Sequence, residues 1–366
     1  MNDIIKLNVG PQHPSTHGVL RLITELDGED ILSVTPEIGY LHRGLEKMAE
    51  SRKYIQYLPI VDRVDYLGSF FTSYAFCSAV EQLSEIEIPK RAQYIRVLCM
   101  ELNRIASHLL WLGTFMLDLG ASSPLFYCFR DRDVILSLFE KLTGQRMMYN
   151  YFIFGGVRFD VEQNWLDDVF KFISDLPRAI RDYENIITNN PIFLERTINK
   201  GYLSKQIALN YSITGPNLRA SGADLDFRKA INYSSYGEFD FVQAVSSRSD
   251  SYGRYLVRIQ EMKTSIDIVK QAVLFLKSNK DNFSAGINQL NIKPKEGEVT
   301  SFVESSRGLL CCYVKSDASD KPYRVKWRTG SYYSVQVLPE LVKDVSYSDL
   351  IAVFGSLDII MPEVDR

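Results

Sequence analysis

Pro89–Gly113, PKRAQYIRVLCMELNRIASHLLWLG, decides the fold. Ile95, Leu98, Leu102, Ile105 and Leu109 recur at spacings of three and four, one face of an α-helix. Pro89 opens the stretch, because proline inside a helix would break it. The run continues to Asp118-Leu119-Gly120, where glycine is a natural stop. Ser123-Pro124 then reads as an N-cap and first helical position. Phe126, Phe129, Leu136 and Phe139 form the apolar face of a second helix that stops near Gly144. Trp165 to Ile187 and Tyr252 to Lys277 repeat the pattern. Four long helices with apolar faces must pack on one another, so the expected centre is a helical bundle.

On the N-terminal side, Leu20, Leu22 and Thr24 alternate with Arg21, Ile23 and Glu25, and Asp27-Gly28 follows. This is a β-hairpin signal. The segment Gly10–Gly18, GPQHPSTHG, is the loop feeding that small sheet. Pro11 and Pro14 fix φ and remove two amide donors, which keeps the loop out of helix and central strand. On the C-terminal side, Asn279 to Val299 reads as a loop or linker, and Phe302 to Gln336 as short β-like runs. A short helix is expected around Ser348 to Gly355, before the tail SLDIIMPEVDR. The fold class is α+β, predominantly α-helical.

A chain of 366 residues is enzyme-sized, and 46% apolar with 24% charged residues is an ordinary globular balance. A net charge of −3 gives no reason to expect nucleic acid. The five cysteines form no Cys-x-x-Cys pair and read as free thiols in a reducing compartment. The first residues, MNDIIKLNVG, have the pattern of neither a signal peptide nor a transit sequence. The apolar run Leu109 to Leu117 is too short to span a membrane. There is no dinucleotide fingerprint, Walker loop, zinc spacing, hydrolase elbow or iron–sulfur ligand pattern.

Two of the four histidines, His13 and His17, share the rigid GPQHPSTHG loop. One reading is that they bond to backbone. The other needs a carboxylate to set a histidine tautomer and a second hydrogen-bonding ring nearby. Tyr66, after Asp62 and Asp65, is a candidate for the ring, or else a packed core tyrosine. Asp118 is a candidate for the carboxylate, or else a helix-end acid bonded to an amide. Its apolar neighbours and the helix dipole raise the expected pKa.

The strings LNVGPQHPSTHGVLRL, GYLHRGLEK, RVDYLGSF, PKRAQYIRVLCMELNRIASHLLWLG, LDLGA, GQRMM, LRASG with LDFRK, and the terminal EVDR carry more. Together they resemble the D-type, quinone-site subunit of the proton-pumping NADH:quinone oxidoreductase, respiratory complex I, from Leu7 to Arg366. The resemblance implies a fold like the large subunit of nickel–iron hydrogenases. It implies one integrated domain: an N-terminal β-rich part over 1–45, a helical core over 46–278, and a linker and mixed C-terminal part over 279–366. Those hydrogenases hold metal with two Cys-x-x-Cys pairs. Here they would fall near Leu67 to Phe70 and in the tail, and neither is present. Without four thiolates nothing soft holds nickel and iron. The resemblance implies that the emptied cavity takes a quinone headgroup.

By the same resemblance His17 contacts one quinone carbonyl, Tyr66 the other, and Asp118 stands behind His17. His13 shapes the loop. The chain itself would bind no metal. Electrons would come from a four-iron [4Fe-4S] cluster in a partner similar to the B-type subunit of complex I, with Arg43 close to it. The alternative for Arg43 is a buried ion pair with Glu46 or another carboxylate. His42 and His108 read as packed or partnered helix histidines. Further implied partners resemble the C-type and I-type subunits and the H-type membrane subunit. The implied location is peripheral, on the cytoplasmic face of a bacterial inner membrane, with an organelle-encoded protein as the other possibility. NADH and ferredoxin remain open as donors. A hydrogenase-like large subunit and a non-catalytic scaffold are the competing readings.

Four places depart from the usual pattern. Met148 and Tyr149 stand where many members carry a histidine. Ile153-Phe154 precede Gly155-Gly156 where an arginine is usual. Thr329 to Tyr333 replace an Arg-Ala-Pro motif, and a helical segment between Pro294 and Glu304 is missing.

Overall fold

A computed structural model describes residues 4–11, 18–343 and 345–366. His13 and His17 lie outside the described residues. An antiparallel sheet of β1 (Ile5–Val9), β2 (Arg21–Asp27) and β3 (Asp30–Glu37) comes first, with the hairpin turning at Gly28 as expected. Leu20, Leu22, Thr24 and Leu26 all point into a core. Two short helices, α1 (Leu45–Glu50) and α2 (Tyr54–Val61), lead to α3 (Ser69–Leu83) and the long α4 (Lys90–Asp118). Then come α5 (Ser123–Thr143), the ribbon of β4 (Phe152–Ile153) and β5 (Gly156–Val157), and α6 (Gln163–Ile187). The short α7 (Pro191–Thr197), α8 (Lys205–Asn210), α9 (Gly215–Arg219) and α10 (Phe227–Ala230) precede α11 (Ser251–Ser278). A second antiparallel sheet follows: β6 (Gly297–Ser305), β7 (Gly308–Ser316) and β8 (Arg324–Arg328). The chain closes with α12 (Gly330–Leu341), α13 (Tyr347–Ser356) and α14 (Met361–Asp365).

The bundle of α4, α5, α6 and α11 is the one the periodicity predicts. Ile95, Leu98, Leu102, Ile105 and Leu109 are all fully buried. Burying each contributes about 1.5–3 kcal/mol. The helix is nevertheless buried nearly all round, and Arg91, Arg96, Glu101, Arg104 and His108 are buried with it. Three local expectations are corrected. The N-cap of α5 is Ser122, one residue earlier, and Phe126 is 70% exposed. Its ring lies on the bundle's outside, because the inward positions of that turn go to Pro124 and Cys128. Residues 330–341 form a helix, not a strand, since the chain must turn back over β3 and α14 after β8. His42 lies in a loop, not a helix. All five cysteines are buried and unpaired among the described residues. Among those residues no helix is long and apolar enough to cross a membrane.

Two large hydrophobic cores result, beside a small cluster of Ala220, Ala244 and Val257. The larger joins the bundle to the second sheet. The smaller joins the first sheet to α8, α9 and α12–α14. The C-terminal stretch 355–366 runs where they meet.

Candidate functional site

Tyr66 sits on the short non-helical link between α2 and α3. Two acids lock that link. Asp62 accepts the Asn150 amide at 2.9 Å and the Ser73 hydroxyl. Burial outweighs these donors and pushes its pKa up to about 6. Asp65 accepts the Leu67 amide at 3.0 Å through one oxygen and Arg307 Nη1 at 2.8 Å through the other. The Tyr66 hydroxyl makes no hydrogen bond among the described residues and is partly accessible. Burial raises its pKa, and Asp65 adds to that, while Arg307 and Arg132 oppose it. The phenol therefore keeps its proton at neutral pH, with two guanidiniums near enough to stabilise an oxyanion.

Arg307 is the hub. It occupies the tip of the β6–β7 hairpin, a position that is normally solvated, yet it is fully buried. Two glycines make room for this tip. A Cβ at Gly215 would stand 2.3 Å from Gly308 Cα, and one at Gly330 would stand 2.3 Å from the Arg307 carbonyl oxygen. The guanidinium reaches Asp65 on one side and Asp358 Oδ1 on the other at 3.4 Å, with Ser107 Oγ at 3.1 Å. The two regions expected to have lost thiolate pairs are thus bridged by an arginine between carboxylates. Among the described residues no group of three His, Cys, Asp or Glu side chains is placed to hold a metal ion.

Asp118 is the last residue of α4 and half-buried. Its helix end is drawn against α13, where Trp111 Nε1 donates to the Gly355 carbonyl at 2.8 Å. A Cβ at Gly355 would stand 2.9 Å from the Phe115 ring and 3.6 Å from Asp118 Oδ2. Gly18, at the described end of the histidine loop, lies on Met361, and a Cβ there would meet the Met361 side chain at 3.1 Å. Three candidate regions therefore converge on residues 355–361: Asp118 at Gly355, Tyr66 through Asp65 and Arg307 at Asp358, and the histidine loop at Met361.

The tail also holds the loop that carries Arg43. Asp365 accepts the amides of Gly39 at 2.8 Å and Leu41 at 2.7 Å, and its carbonyl meets His42 Nδ1 at 2.6 Å. Arg43 donates to the Arg63 carbonyl at 2.6 Å and makes no ion pair among the described residues. Glu46 binds Lys326 instead, so among the described residues Arg43 has neither Glu46 nor another carboxylate as an ion-pair partner. Burial and the adjacent Arg63 guanidinium lower the Arg43 pKa. His108 is buried and meets Glu261 Oε2 at 2.7 Å. Tyr149 stacks on Phe70 with ring centroids 4.3 Å apart and belongs to the core. Sequence reasoning missed Arg307, Asp358 and Glu363. The one available signal was a charged residue in a tight Ser-Ser-Arg-Gly hairpin, Ser305 to Gly308.

Comparisons with known proteins agree with one another. A family model described as the respiratory-chain NADH dehydrogenase 49 kDa subunit matches residues 118–366. The chloroplastic H-type subunit of the NAD(P)H-quinone oxidoreductase of Oryza sativa is 46% identical over 385 residues, covering 100% of this chain and 98% of its own. The D-type subunit of the NADH-quinone oxidoreductase of Bacillus cereus is 46% identical over 359 residues, covering 98% of both chains. That coverage leaves no room for a long insertion, so the Bacillus protein shares the short connection before Glu304. The chain belongs to the 49 kDa subunit family of respiratory-chain NADH dehydrogenase.

Proposed function

We propose that the seam around residues 355–361 receives a quinone headgroup and that this chain supplies protons for its reduction. The observation that carries the reading is the convergence on that one segment of Asp118, the end of the histidine loop and, through Asp65 and Arg307, the link that carries Tyr66. Adding two electrons to a quinone puts negative charge on two oxygens, and both must gain protons. Tyr66 donates the O–H proton at one oxygen. Arg307 and Arg132 stabilise the phenolate left behind. His17 donates at the other oxygen, with Asp118 setting its ring and tautomer.

A [4Fe-4S] cluster in a neighbouring chain similar to the B-type subunit would supply the electrons, one at a time. Arg43 and Arg63 form its docking face, where two guanidiniums without an ion-pair partner among the described residues favour a centre that becomes more negative on reduction. Leu117, Phe126, Tyr127 and Phe129 are exposed where α4 hands over to α5. This apolar patch is covered by another chain, in a complex that includes counterparts of the C-type and I-type subunits and of the H-type membrane subunit. The chain then sits peripherally on the membrane, on the cytoplasmic side in a bacterium. The parts 1–45, 46–278 and 279–366 act as one integrated unit around the seam.

The test is quinone reduction by the assembled complex carrying Tyr66→Phe or His17→Ala. Each should lower turnover about 10²-fold or more, with assembly and cluster reduction unchanged. Wild-type turnover in both variants would remove the mechanism. Stoichiometric nickel in the purified complex would instead revive a hydrogenase-like reading.

A further inference from the structure

The helix α5 carries two arginines in opposite circumstances. Arg130 is exposed and saturated: it meets the two oxygens of Asp131 at 2.8 and 3.0 Å. Arg132 is half-buried, and no hydrogen bond or ion pair joins its guanidinium to another described residue. Its Nε–H is shut away from solvent without an acceptor. A covered, unmet donor on a charged group is costly. The nearby acids are already engaged. Asp131 is taken by Arg130 and the Tyr183 hydroxyl. Asp133 attracts Arg132 from a distance, but its carboxylate holds Arg146 Nη2. Glu140 holds Arg146 Nη1 at 3.1 Å. Burial lowers the Arg132 pKa, and the like charge of Arg146 adds to it.

The surroundings of Arg132 show where an acceptor would come from. Its head lies over the Phe129 ring, 5.9 Å from the centroid. Phe126, Phe129 and Arg132 are each the i+3 neighbour of the one before, so they run along one flank of α5. Phe126 and Phe129 belong to the exposed apolar patch, with Leu117 and Tyr127. The guanidinium therefore stands at the edge of that patch. Aromatic rings beside an arginine are the side chains that most often anchor one protein on another.

We infer that the chain covering this patch brings an aspartate or glutamate onto Arg132, flanked by apolar side chains that pack on Phe126 and Phe129. The inference rests on the reading that another chain of the complex covers the patch. Charge complementarity selects the occupant. An apolar segment alone would bury the guanidinium deeper with its Nε–H still unmet. A carboxylate accepts from Nε and one Nη side by side. The other amino group remains for the Tyr66 phenol or water. A membrane surface fits less well, because anionic lipid is drawn to clusters of cations. Here Arg130 and Arg146 are already neutralised by Asp131, Asp133 and Glu140, which leaves one charge for one carboxylate.

The test is carbodiimide coupling in the assembled complex carrying Arg132→Lys. The substitution supplies a primary amine, and carbodiimide joins an amine only to a carboxylate in contact with it. Mass spectrometry should find an amide from position 132 to an Asp or Glu of another subunit, absent from wild type. Coupling only to Asp133 or Glu140 of this chain, or no coupling, overturns the inference. So does a patch that is protected only until lipid is stripped from the complex. Phe126→Cys separates the two claims. The five native cysteines are buried, so the new thiol alone reports on the patch in this chain. It should resist a polar maleimide until the complex is dissociated. Rapid labelling in the intact complex removes the reading that a chain covers the patch. Protection without the coupled amide removes the carboxylate alone. If Arg132→Lys does not assemble, the yield of complex decides. Arg132→Glu should then give roughly tenfold less complex than Arg132→Gln, because like charges would meet. Equal yields overturn the inference.

Discussion

The long helix α4 borders two buried charge clusters that shift their carboxyl pKa values in opposite directions. Inside the bundle, Glu101 receives Arg104, Arg228, the Tyr236 hydroxyl at 2.6 Å and the Ser265 hydroxyl at 2.6 Å. Asp226 receives Arg228 at 2.7 Å, and Glu261 receives Arg219 and His108. Burial opposes ionisation at all three, but the surrounding guanidiniums outweigh it and hold them below the ordinary carboxylate range. At the seam, Asp358 and Glu363 have fewer donors, and burial wins. Glu304 obeys the same rule from within the bundle. Its Oε1 takes Arg219 at 2.8 Å, its Oε2 has no partner, and its pKa is raised, by burial first. The number of donors per oxygen, not burial alone, decides which acids are fixed charges and which can carry protons.

Breaking the bundle network should have the largest effect on stability. Arg228→Leu leaves Asp226 and Glu101 short of a partner at full burial, at a cost of about 3–5 kcal/mol. The assembled complex should be largely lost in a native gel. Arg307→Lys at the seam is milder, because an ammonium cannot span Asp65, Asp358 and Ser107 together. About 1–3 kcal/mol of stability and roughly tenfold in quinone turnover should go, with assembly retained.

Titration sharpens the contrast. Glu363 has a folded pKa raised to about 7, so the folded state binds more protons than the unfolded state between the ordinary glutamate value and that point. Its neutral form contributes stability that is full below the ordinary value and is lost as pH rises through about 7. Glu363→Gln should therefore gain thermal stability relative to wild type as pH climbs past about 7, and show little difference at about pH 5. His108 runs the other way. Burial, partly offset by Glu261, pushes it down to about 4, so its contribution is present above the ordinary histidine value and is lost as pH falls through about 4. A His108→Gln variant should narrow its stability deficit as pH drops from about 6.5 to 4. At the small end, Lys141→Ala removes an exposed ion pair to Asp168 and should change stability by about 0–1 kcal/mol.

Much of the frame was legible in the sequence. The repeat of Ile95, Leu98, Leu102, Ile105 and Leu109 locates α4, and Asp27-Gly28 locates the hairpin, because both signals are local. Residues 330–336 misled the reading because the Tyr332-Tyr333 pair and Val335 favour strands, whereas tertiary packing made them helical. Phe126 misled it because helical spacing says which residues share a face, not whether that face is covered. The seam was least legible. Asp65 and Arg307 are 242 positions apart, and Gly39 and Asp365 are 326 apart. No local pattern announces a guanidinium buried at a hairpin tip. Tyr66 and Asp118 could be singled out by chemistry, but the connection of Asp118 to Gly355, and of Tyr66's neighbour Asp65 through Arg307 to Asp358, needed the fold.

The most direct test of the central claim is a cryo-EM map of the assembled complex with a quinone headgroup analogue bound. The account predicts one carbonyl oxygen of the analogue within about 3 Å of the Tyr66 hydroxyl, beside the segment from Gly355 to Met361. A headgroup bound elsewhere, with Tyr66 packed away from it, would contradict the account.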